Sequence, residues 1–180
     1  YNDSESQGTY WVNMPDFASS TESLQLQRGV GTSTNGAAAF GASLNLLTDA
    51  ISDESYGQIS SSFGSFNTLR NNVKFSTGLL NDHVEFSGRL SQIGSDGYVD
   101  RATSKLKSYF LQGTYKNDKT LIKALLCGGQ EKTYQAWNGV DAETLATDRT
   151  FNSAGMYTDA NGEIQFYDNE IDNYKQDHFQ

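Results

Sequence analysis

The side chains best suited to nucleophilic or acid–base chemistry in this 180-residue chain are two histidines, His83 and His178, and one cysteine, Cys127. Neither histidine has a serine, cysteine or glutamate at a spacing that is typical of a catalytic set. Cys127 has no adjoining histidine with which to build a zinc site, and a single cysteine cannot form a disulfide within the chain. The sequence therefore predicts no enzyme, no cofactor and no metal site.

Two short patterns resemble ligand loops, and a plainer interpretation is favoured for each. Gly31 and Gly36 have the spacing of a phosphate loop, but Ala37 follows where that loop requires a lysine. The acidic spacing of residues 159–163 is similar to that of a calcium loop. However, Asn161-Gly162 lies between two short apolar runs, which predicts a two-residue hairpin turn.

Aromatic residues scattered through a long acidic segment are the remaining candidates for binding. Across residues 131–172 the alternation of polar and apolar residues is lost, and such a length is typical of a functional surface loop. Rigid aromatic rings offer a large contact area at low entropic cost. We therefore take Tyr134, Trp137 and Tyr157 as ligand-binding candidates, with a purely structural role in fixing the loop as the alternative.

Runs of alternating polar and apolar residues must position this loop. Period-two alternation predicts antiparallel strands with one apolar and one polar face. Five such runs, and the start of a sixth, begin near Tyr56, Leu69, Val84, Lys107, Leu121 and Asn173. Short turns are predicted at Asn81-Asp82 and at residues 116–119, while the connections at the opposite strand ends grow longer, as in a membrane barrel.

The parity of the runs assigns side chains to the two faces. The apolar face is predicted to carry Val73, Phe75, Leu79, Val84, Phe86, Leu90, Ile122 and Leu126. The charged face is predicted to carry Arg70, Lys74, Glu85, Arg89 and Lys123. In a membrane barrel, the first set would face lipid and the second the lumen.

Before the strands, residues 27–48 form a segment rich in glycine and alanine. A run of small residues lets backbone approach backbone closely. This segment resembles the end of the plug domain in TonB-dependent outer-membrane receptors, where Arg-Gly-Pro and Tyr-Gly precede Gly-Gly-Val-Ile-Asn-Ile-x-Thr. The matching residues are Arg28, Gly29, Gly36, Gly41 and, in the closing strand, Asn45. Val30, Asn35 and Ala42-Ser43 depart from the family pattern.

The resemblance implies an internal piece of such a receptor. Residues 1–50 would be the C-terminal part of the plug, and residues 51–180 the first five barrel strands, their loops and the start of the sixth. The family imports scarce ligands across the outer membrane with energy from TonB, whose contact segment would lie outside these residues. A siderophore or another metal chelate is the favoured cargo, with oligosaccharide, haem and cobalamin open. The resemblance also implies that Arg28 pairs with carboxylates of the barrel wall.

The amino-acid composition is consistent with a receptor fragment, but it does not distinguish such a fragment from other all-β proteins. The net charge of -9 argues against binding to nucleic acid. No run approaches eighteen apolar residues, and a mean hydropathy of -0.60 says little about membrane barrels, which are polar on one strand face. Five or six strands are too few to close a barrel. The sequence therefore predicts an all-β fold: either part of a large outer-membrane barrel or a soluble β-sandwich that binds carbohydrate or acts at the cell surface.

Overall fold

The computed structural model describes residues 14–30, 41–169 and 171–179, and the fold is mostly antiparallel β, as predicted. In chain order the elements are a 3₁₀ helix Phe17–Ser20, β1 Thr21–Arg28, β2 Ala42–Thr48, β3 Tyr56–Gly64, β4 Thr68–Ser76, β5 Val84–Ser95, β6 Ser104–Lys116, β7 Leu121–Thr133, α1 Ala142–Thr147, β8 Met156–Thr158, β9 Ile164–Phe166 and β10 Asp172–Phe179.

Six strands form one antiparallel sheet in the order β10-β7-β6-β5-β4-β3. Strands that follow one another in the chain are neighbours in the sheet, and β10 pairs with β7 after a long connection. The five alternating runs and the start of a sixth are thereby confirmed. Within the described residues the sheet ends at β3 on one side and β10 on the other, so it does not close into a barrel.

The two faces of the sheet carry the residues that parity assigned to them, with one exception. We call the face with Arg70, Arg89 and Lys123 the inner face, and the face with Phe86 and Leu126 the outer face. The exception is Leu79, which was predicted on the apolar face. It lies beyond the end of β4, half-buried in the turn at residues 77–83, because the chain leaves the ladder after Ser76.

Burial on this sheet is the reverse of that in a water-soluble protein. Among the described residues, the buried apolar side chains are Phe110, Tyr134, Ala154 and Pro15. Eleven polar or charged residues in the described ranges are buried, and nine of them lie on β4, β5, β6 or the 3₁₀ helix that packs against them. Large apolar residues of the outer face are instead exposed, Phe86 and Leu90 by 55% each.

One aromatic residue breaks the polar pattern of the inner face. The alternation of β6 leaves Phe110 on the side opposite Tyr109 and Leu111, and Phe110 is 2% exposed. Its ring packs edge-on against Phe17 of the 3₁₀ helix, with centroids 6.1 Å apart. The inner face is therefore covered, near its centre, by the segment that precedes β1.

The two described glycines of the glycine-rich motif, Gly29 and Gly41, lie next to the paired ends of a separate hairpin. β1 pairs with β2 so that Leu24 opposes Leu46 and Arg28 opposes Ala42. Gly29 has φ 86, a conformation that favours glycine, and its N–H donates to the Gly41 carbonyl at 2.8 Å. Gly36, which the sequence placed in the same motif, lies outside the described residues.

The two ends of the sheet differ in the length of their connections. The short-turn end has residues 77–83 and 117–120, and Asn81 and Asp82 adopt the positive φ that these side chains tolerate. The long-loop end has the connections 96–103 and 134–171, and it also has the three-residue turn 65–67, which is shorter than the turn at 77–83. The last connection is shorter than predicted, because β7 continues through Glu131 to Thr133 and β10 starts at Asp172.

Candidate binding lobe and polar interior

Asp16 joins the 3₁₀ helix to the inner face of the sheet. One carboxylate oxygen accepts from Arg70 Nη2 at 3.2 Å and from Ser19 Oγ at 2.5 Å. The other accepts from Arg89 Nη1 at 2.9 Å and from the hydroxyl of Ser91. Two arginines from adjacent strands thus share one carboxylate, which is the arrangement that a buried guanidinium requires.

Arg89 is the most deeply buried charge of this cluster. Its side chain is 1% exposed, whereas that of Arg70 is 38% exposed. Arg89 Nε donates to Ser20 Oγ at 2.6 Å, and Nη1 also donates to Ser108 Oγ at 3.2 Å. The Arg89 guanidinium therefore donates hydrogen bonds to serines of the helix and of β6 as well as to Asp16.

The link between β2 and β3 makes a second set of contacts with the same face. Asp49 lies 2.8 Å from Lys74 Nζ, and the buried Glu85 carboxylate accepts from the Ser52 N–H at 3.1 Å and from Ser76 Oγ at 2.7 Å. The Asp49 N–H also donates to the Ser20 carbonyl at 3.2 Å, which ties the link to the 3₁₀ helix. The inner face is thus a charged surface that this chain covers with its own preceding segments.

Arg28, for which the sequence predicted such a pairing, lies elsewhere. It is exposed at the end of β1, and no carboxylate in the described ranges is within ion-pair distance. Gly29, Gly41 and Asn45 belong to the same hairpin. Pairing of Arg28 with barrel carboxylates stays a prediction, while the carboxylate that does pair, Asp16, was missed. The available signal was the placement of Arg70 and Arg89 on one face, which calls for a compensating acid.

At the long-loop end, the connection 134–171 folds into a lobe instead of an irregular loop. Tyr134 is 2% exposed, and its hydroxyl donates to the Tyr167 carbonyl at 2.5 Å. The Tyr167 ring stacks on Tyr157 with centroids 4.9 Å apart. Tyr134 is therefore the anchor of the lobe, and this burial leaves its ring little surface for a ligand.

Arg101, from the neighbouring loop, fastens the lobe to β5 and β6. Its guanidinium lies 3.6 Å from the centroid of the Phe166 ring and donates to the Asn152 carbonyl. The Asn152 side-chain amide donates to the carbonyls of Asp100 at 2.9 Å and Gln135 at 3.0 Å. Two loops of the long-loop end are thus held as one unit.

The other two candidate aromatics are accessible. Trp137 is 73% exposed and Tyr157 is 41% exposed. The structure links Tyr134 with Tyr157 through Tyr167, and it does not bring Trp137 into ring contact with either within the described residues. A flat, exposed indole such as that of Trp137 is a surface that can bind a planar or sugar-like ligand.

The β8–β9 hairpin confirms the turn interpretation of residues 159–163, with a wider loop than predicted. The Gly162 N–H donates to the Asp159 carbonyl at 3.1 Å, and the Asp159 N–H donates to the Glu163 carbonyl at 2.9 Å. Gly162 takes φ 86, so three residues form the tip. The Asp159 carboxylate accepts from the Asn161 and Glu163 N–H groups, which occupies it within the turn.

Gly155 permits the lobe to close over Tyr134, and replacing it tests this packing. Gly155 has φ 72, and a Cβ there would overlap the Tyr134 hydroxyl. We expect Gly155→Ala to destabilise the lobe by about 2–4 kcal/mol, from strained φ plus overpacking. Hydrogen exchange of residues 150–168 measures the effect. Gly139→Ala is the matched control, because its Cβ would meet nothing within 4 Å; equal exchange in both variants would contradict the packing described.

Comparisons with family models, curated proteins and solved structures gave no match to this chain. No helix in the described ranges is long and apolar enough to cross a membrane. Those ranges also contain no group of three or more histidine, cysteine, aspartate or glutamate side chains placed to hold a metal ion.

Proposed function

We propose that this chain is part of a TonB-dependent outer-membrane receptor, comprising the end of the plug and the first strands of the barrel. The observation that carries the proposal is the reversed burial of the six-stranded sheet: its polar face is covered and its apolar face is exposed. Burying a Leu or Phe side chain contributes about 1.5–3 kcal/mol in water. In water, a sheet whose whole apolar face stays exposed lacks this stabilisation. In lipid the apolar face contacts acyl chains, so its exposure does not lower the stability of the protein.

The limits of the apolar area support the same proposal. On the outer face of β6, Gly113 and Leu111 lie between Tyr115 and Tyr109. Beyond Tyr109, towards the long-loop end, the next outer-face residues of the strand are Lys107 and Lys105. The two tyrosines are six residues apart, about 20 Å along a strand at ~3.4 Å per residue. Outer-membrane barrels have an apolar band about 25 Å tall between aromatic girdles, which fits this arrangement.

The soluble β-sandwich is the alternative interpretation, and the exposed face argues against it. A sandwich buries the apolar face of each sheet against a second sheet. In the part of the chain described, the covering segments lie on the polar face, and Phe86, Leu90 and Ile122 remain exposed. The proposal therefore keeps the receptor and gives up the carbohydrate-binding sandwich.

In this proposal the long-loop end faces the cell exterior and the short-turn end the periplasm. The lobe at residues 134–171 would contact cargo through Trp137 and Tyr157, with Tyr134 holding the lobe in place. Import would require movement of the segments on the inner face, since Asp16, Asp49 and Ser52 connect them to the wall. TonB would supply the work through a segment outside these residues. A metal chelate such as a siderophore remains the favoured cargo, and an oligosaccharide stays open.

The indole of Trp137 provides the test of cargo binding. Ferric chelates and neutral oligosaccharides are titrated onto the membrane-reconstituted protein while tryptophan emission is followed. We expect a saturable change with at least one chelate. Calorimetric titration, which does not need the indole, should show at least tenfold weaker binding after Trp137→Ala, because an aromatic anchor typically contributes more than about 1–2 kcal/mol. Trp11→Phe is the control for the second tryptophan. No saturable response to any probe would contradict a binding role for the lobe.

A further inference from the structure

Three of the five side chains with sulfur or imidazole donors in this chain line one small cavity. The five are Met14, Met156, His83, His178 and Cys127. The cavity, of about 10 Å³, lies between the segment before β1 and the inner face of the sheet, and Met14, Cys127 and His178 are among its lining residues. A volume of this size holds about one water molecule or a single ion. We call these three residues the soft-donor cluster.

The pairing of β7 with β10 brings two of the donors together. Cys127 and His178 are directly opposed in this antiparallel pair, and both lie on the inner face. Directly opposed residues of such a pair have Cβ atoms about 4.5–5.5 Å apart. A thiol and an imidazole at this separation can reach one ion between them. Both side chains are half-buried, so the cluster can be reached from the inner side of the sheet.

Met14 approaches the same cavity from the segment that covers the inner face. It lies shortly before Asp16 and lines the cavity together with Pro15 and Phe17 of the same segment. The unbranched side chain of methionine has three rotatable bonds and a polarizable sulfur, so it adapts to a neighbouring group. An ion held by Met14 and by two strands would therefore join the segment to the sheet at a second point, beside the Asp16 ion pairs.

His178 can bind an ion and keep the interaction that it already makes. An imidazole has two ring nitrogens. In metal sites, the nitrogen that does not bind the metal usually donates to another partner. The cluster therefore requires one ring nitrogen of His178 to face the cavity, and the other nitrogen serves the remaining partner.

The charge around the cavity favours a monovalent ion. Arg89 also lines the cavity, and its guanidinium pairs with Asp16 at 2.9 Å. When Cu(I) binds Cys127, the thiol proton leaves to solvent as the Cu–S bond forms, and the resulting thiolate–copper pair is neutral. Zn²⁺ with the same single thiolate would leave a net positive charge beside the buried guanidinium, which is unfavourable where water is excluded. Thiolate and thioether sulfur are also the donors that select Cu(I).

We propose that the soft-donor cluster binds one Cu(I) ion, with Cys127 as a thiolate and Met14 and His178 as neutral ligands. The ion fastens the segment before β1 to β7 and β10, and it stays in the protein, in contrast to a cargo that passes through. This site goes beyond the proposed function and does not depend on it. The sequence does not indicate the cluster, because its donors come from opposite ends of the chain and only the fold brings them together.

The test measures the Cu(I) affinity of the purified protein by competition with a colorimetric Cu(I) chelator in the presence of ascorbate. We expect one ion per chain and at least about tenfold weaker binding after Met14→Leu or His178→Gln, because even changes to the partners of metal ligands cost about 10–100-fold in affinity. Cys127→Ser should abolish binding at the same concentrations. The matched controls are Met156→Leu and His83→Gln, which remove the same donors elsewhere and should leave the affinity unchanged.

Hydrogen exchange shows whether the bound ion fastens the covering segment. With Cu(I) at about 100 times its dissociation constant, exchange of the amides of residues 17–20 should slow by about 100-fold, since the ion stabilises only the segment that contacts the sheet. The ratio of rates with and without Cu(I) is taken within each variant, so a variant that loosens the segment is still informative. The Met14→Leu protein should show no such slowing.

Three results would overturn the proposal. The first is equal Cu(I) affinity in Met14→Leu and Met156→Leu, or in His178→Gln and His83→Gln, which would reduce the cluster to a thiol that binds copper alone. The second is a Cu(I) affinity that survives Cys127→Ser. The third is binding of Zn²⁺ to the cluster as tight as that of Cu(I), which would contradict the argument from charge and donor type.

Discussion

Replacing Asp16 with alanine is expected to release the 3₁₀ helix Phe17–Ser20 from the sheet. The change removes the carboxylate that Arg70 and Arg89 share and leaves the buried Arg89 guanidinium without its ion-pair partner. Breaking a buried pair in this way costs about 3–5 kcal/mol. Hydrogen exchange of the amides of residues 17–20 should accordingly accelerate at least about 100-fold, at ~1.4 kcal/mol per tenfold.

Two variants show whether the faster exchange is caused by the unpaired charge of the buried Arg89. Asp53→Ala is the control for removing a carboxylate, because Asp53 is 84% exposed and lies 3.9 Å from Lys116 Nζ; we expect less than about 1 kcal/mol there. Combining Asp16→Ala with Arg89→Met should recover much of the lost protection, since both charges are then gone. An Asp16→Ala protein that keeps wild-type exchange at residues 17–20 would show that the ion pairs do not hold the segment.

The second large effect is expected when a cation is placed on the outer face. Leu126 and Leu125 are adjacent on β7, with Leu126 on the outer face opposite Leu111 and Leu125 on the inner face opposite Gln112. In a bilayer, Leu126→Arg should lower the free energy of unfolding by about 2–4 kcal/mol, the cost of an arginine near the middle of the lipid-facing side. Leu125→Arg, which points into the polar interior, should cost clearly less.

The comparison of these two leucine variants separates the membrane proposal from a water-exposed sheet. Both variants introduce an arginine into β7, so the difference in strand propensity between leucine and arginine contributes about equally to both and cancels in the comparison. Urea unfolding in lipid vesicles provides the free energies. If the outer face lay in water, Leu126→Arg would be neutral or stabilising, because an exposed leucine would be exchanged for a hydrated cation.

The sequence predicted the sheet well because period-two alternation is a local property. Runs such as that of β5, where Glu85 and Arg89 alternate with Phe86 and Leu90, assign faces without knowledge of the partner strand. The one large aromatic residue of β6 on the inner face, Phe110, also interrupts the alternation of that strand in the sequence itself. What parity does not determine is which face is covered, and that depends on segments distant in the chain.

The inner cluster illustrates why such features were missed. Asp16 and Arg89 are separated by 73 residues, and nothing near Asp16 in the sequence marks it as the partner of two arginines. The lobe was missed for a similar reason. The role of Tyr134 as an anchor follows from Gly155, Tyr167 and Arg101, which only the folded chain brings to it. The exposed Trp137, by contrast, still fits the role that the sequence suggested.

The solvent that contacts the outer face is the most direct test of the account. Nitroxide labels at Leu111→Cys and Leu126→Cys, in a Cys127→Ser background and in lipid vesicles, are compared by power-saturation EPR with labels at Lys123→Cys on the inner face and Asn161→Cys in the lobe. If the outer face lies in lipid, the labels at 111 and 126 should be relaxed more by oxygen than by a water-soluble nickel complex, because oxygen concentrates in lipid. The labels at 123 and 161 should show the opposite preference. Outer-face labels as accessible to nickel as the label at 161 would contradict the account.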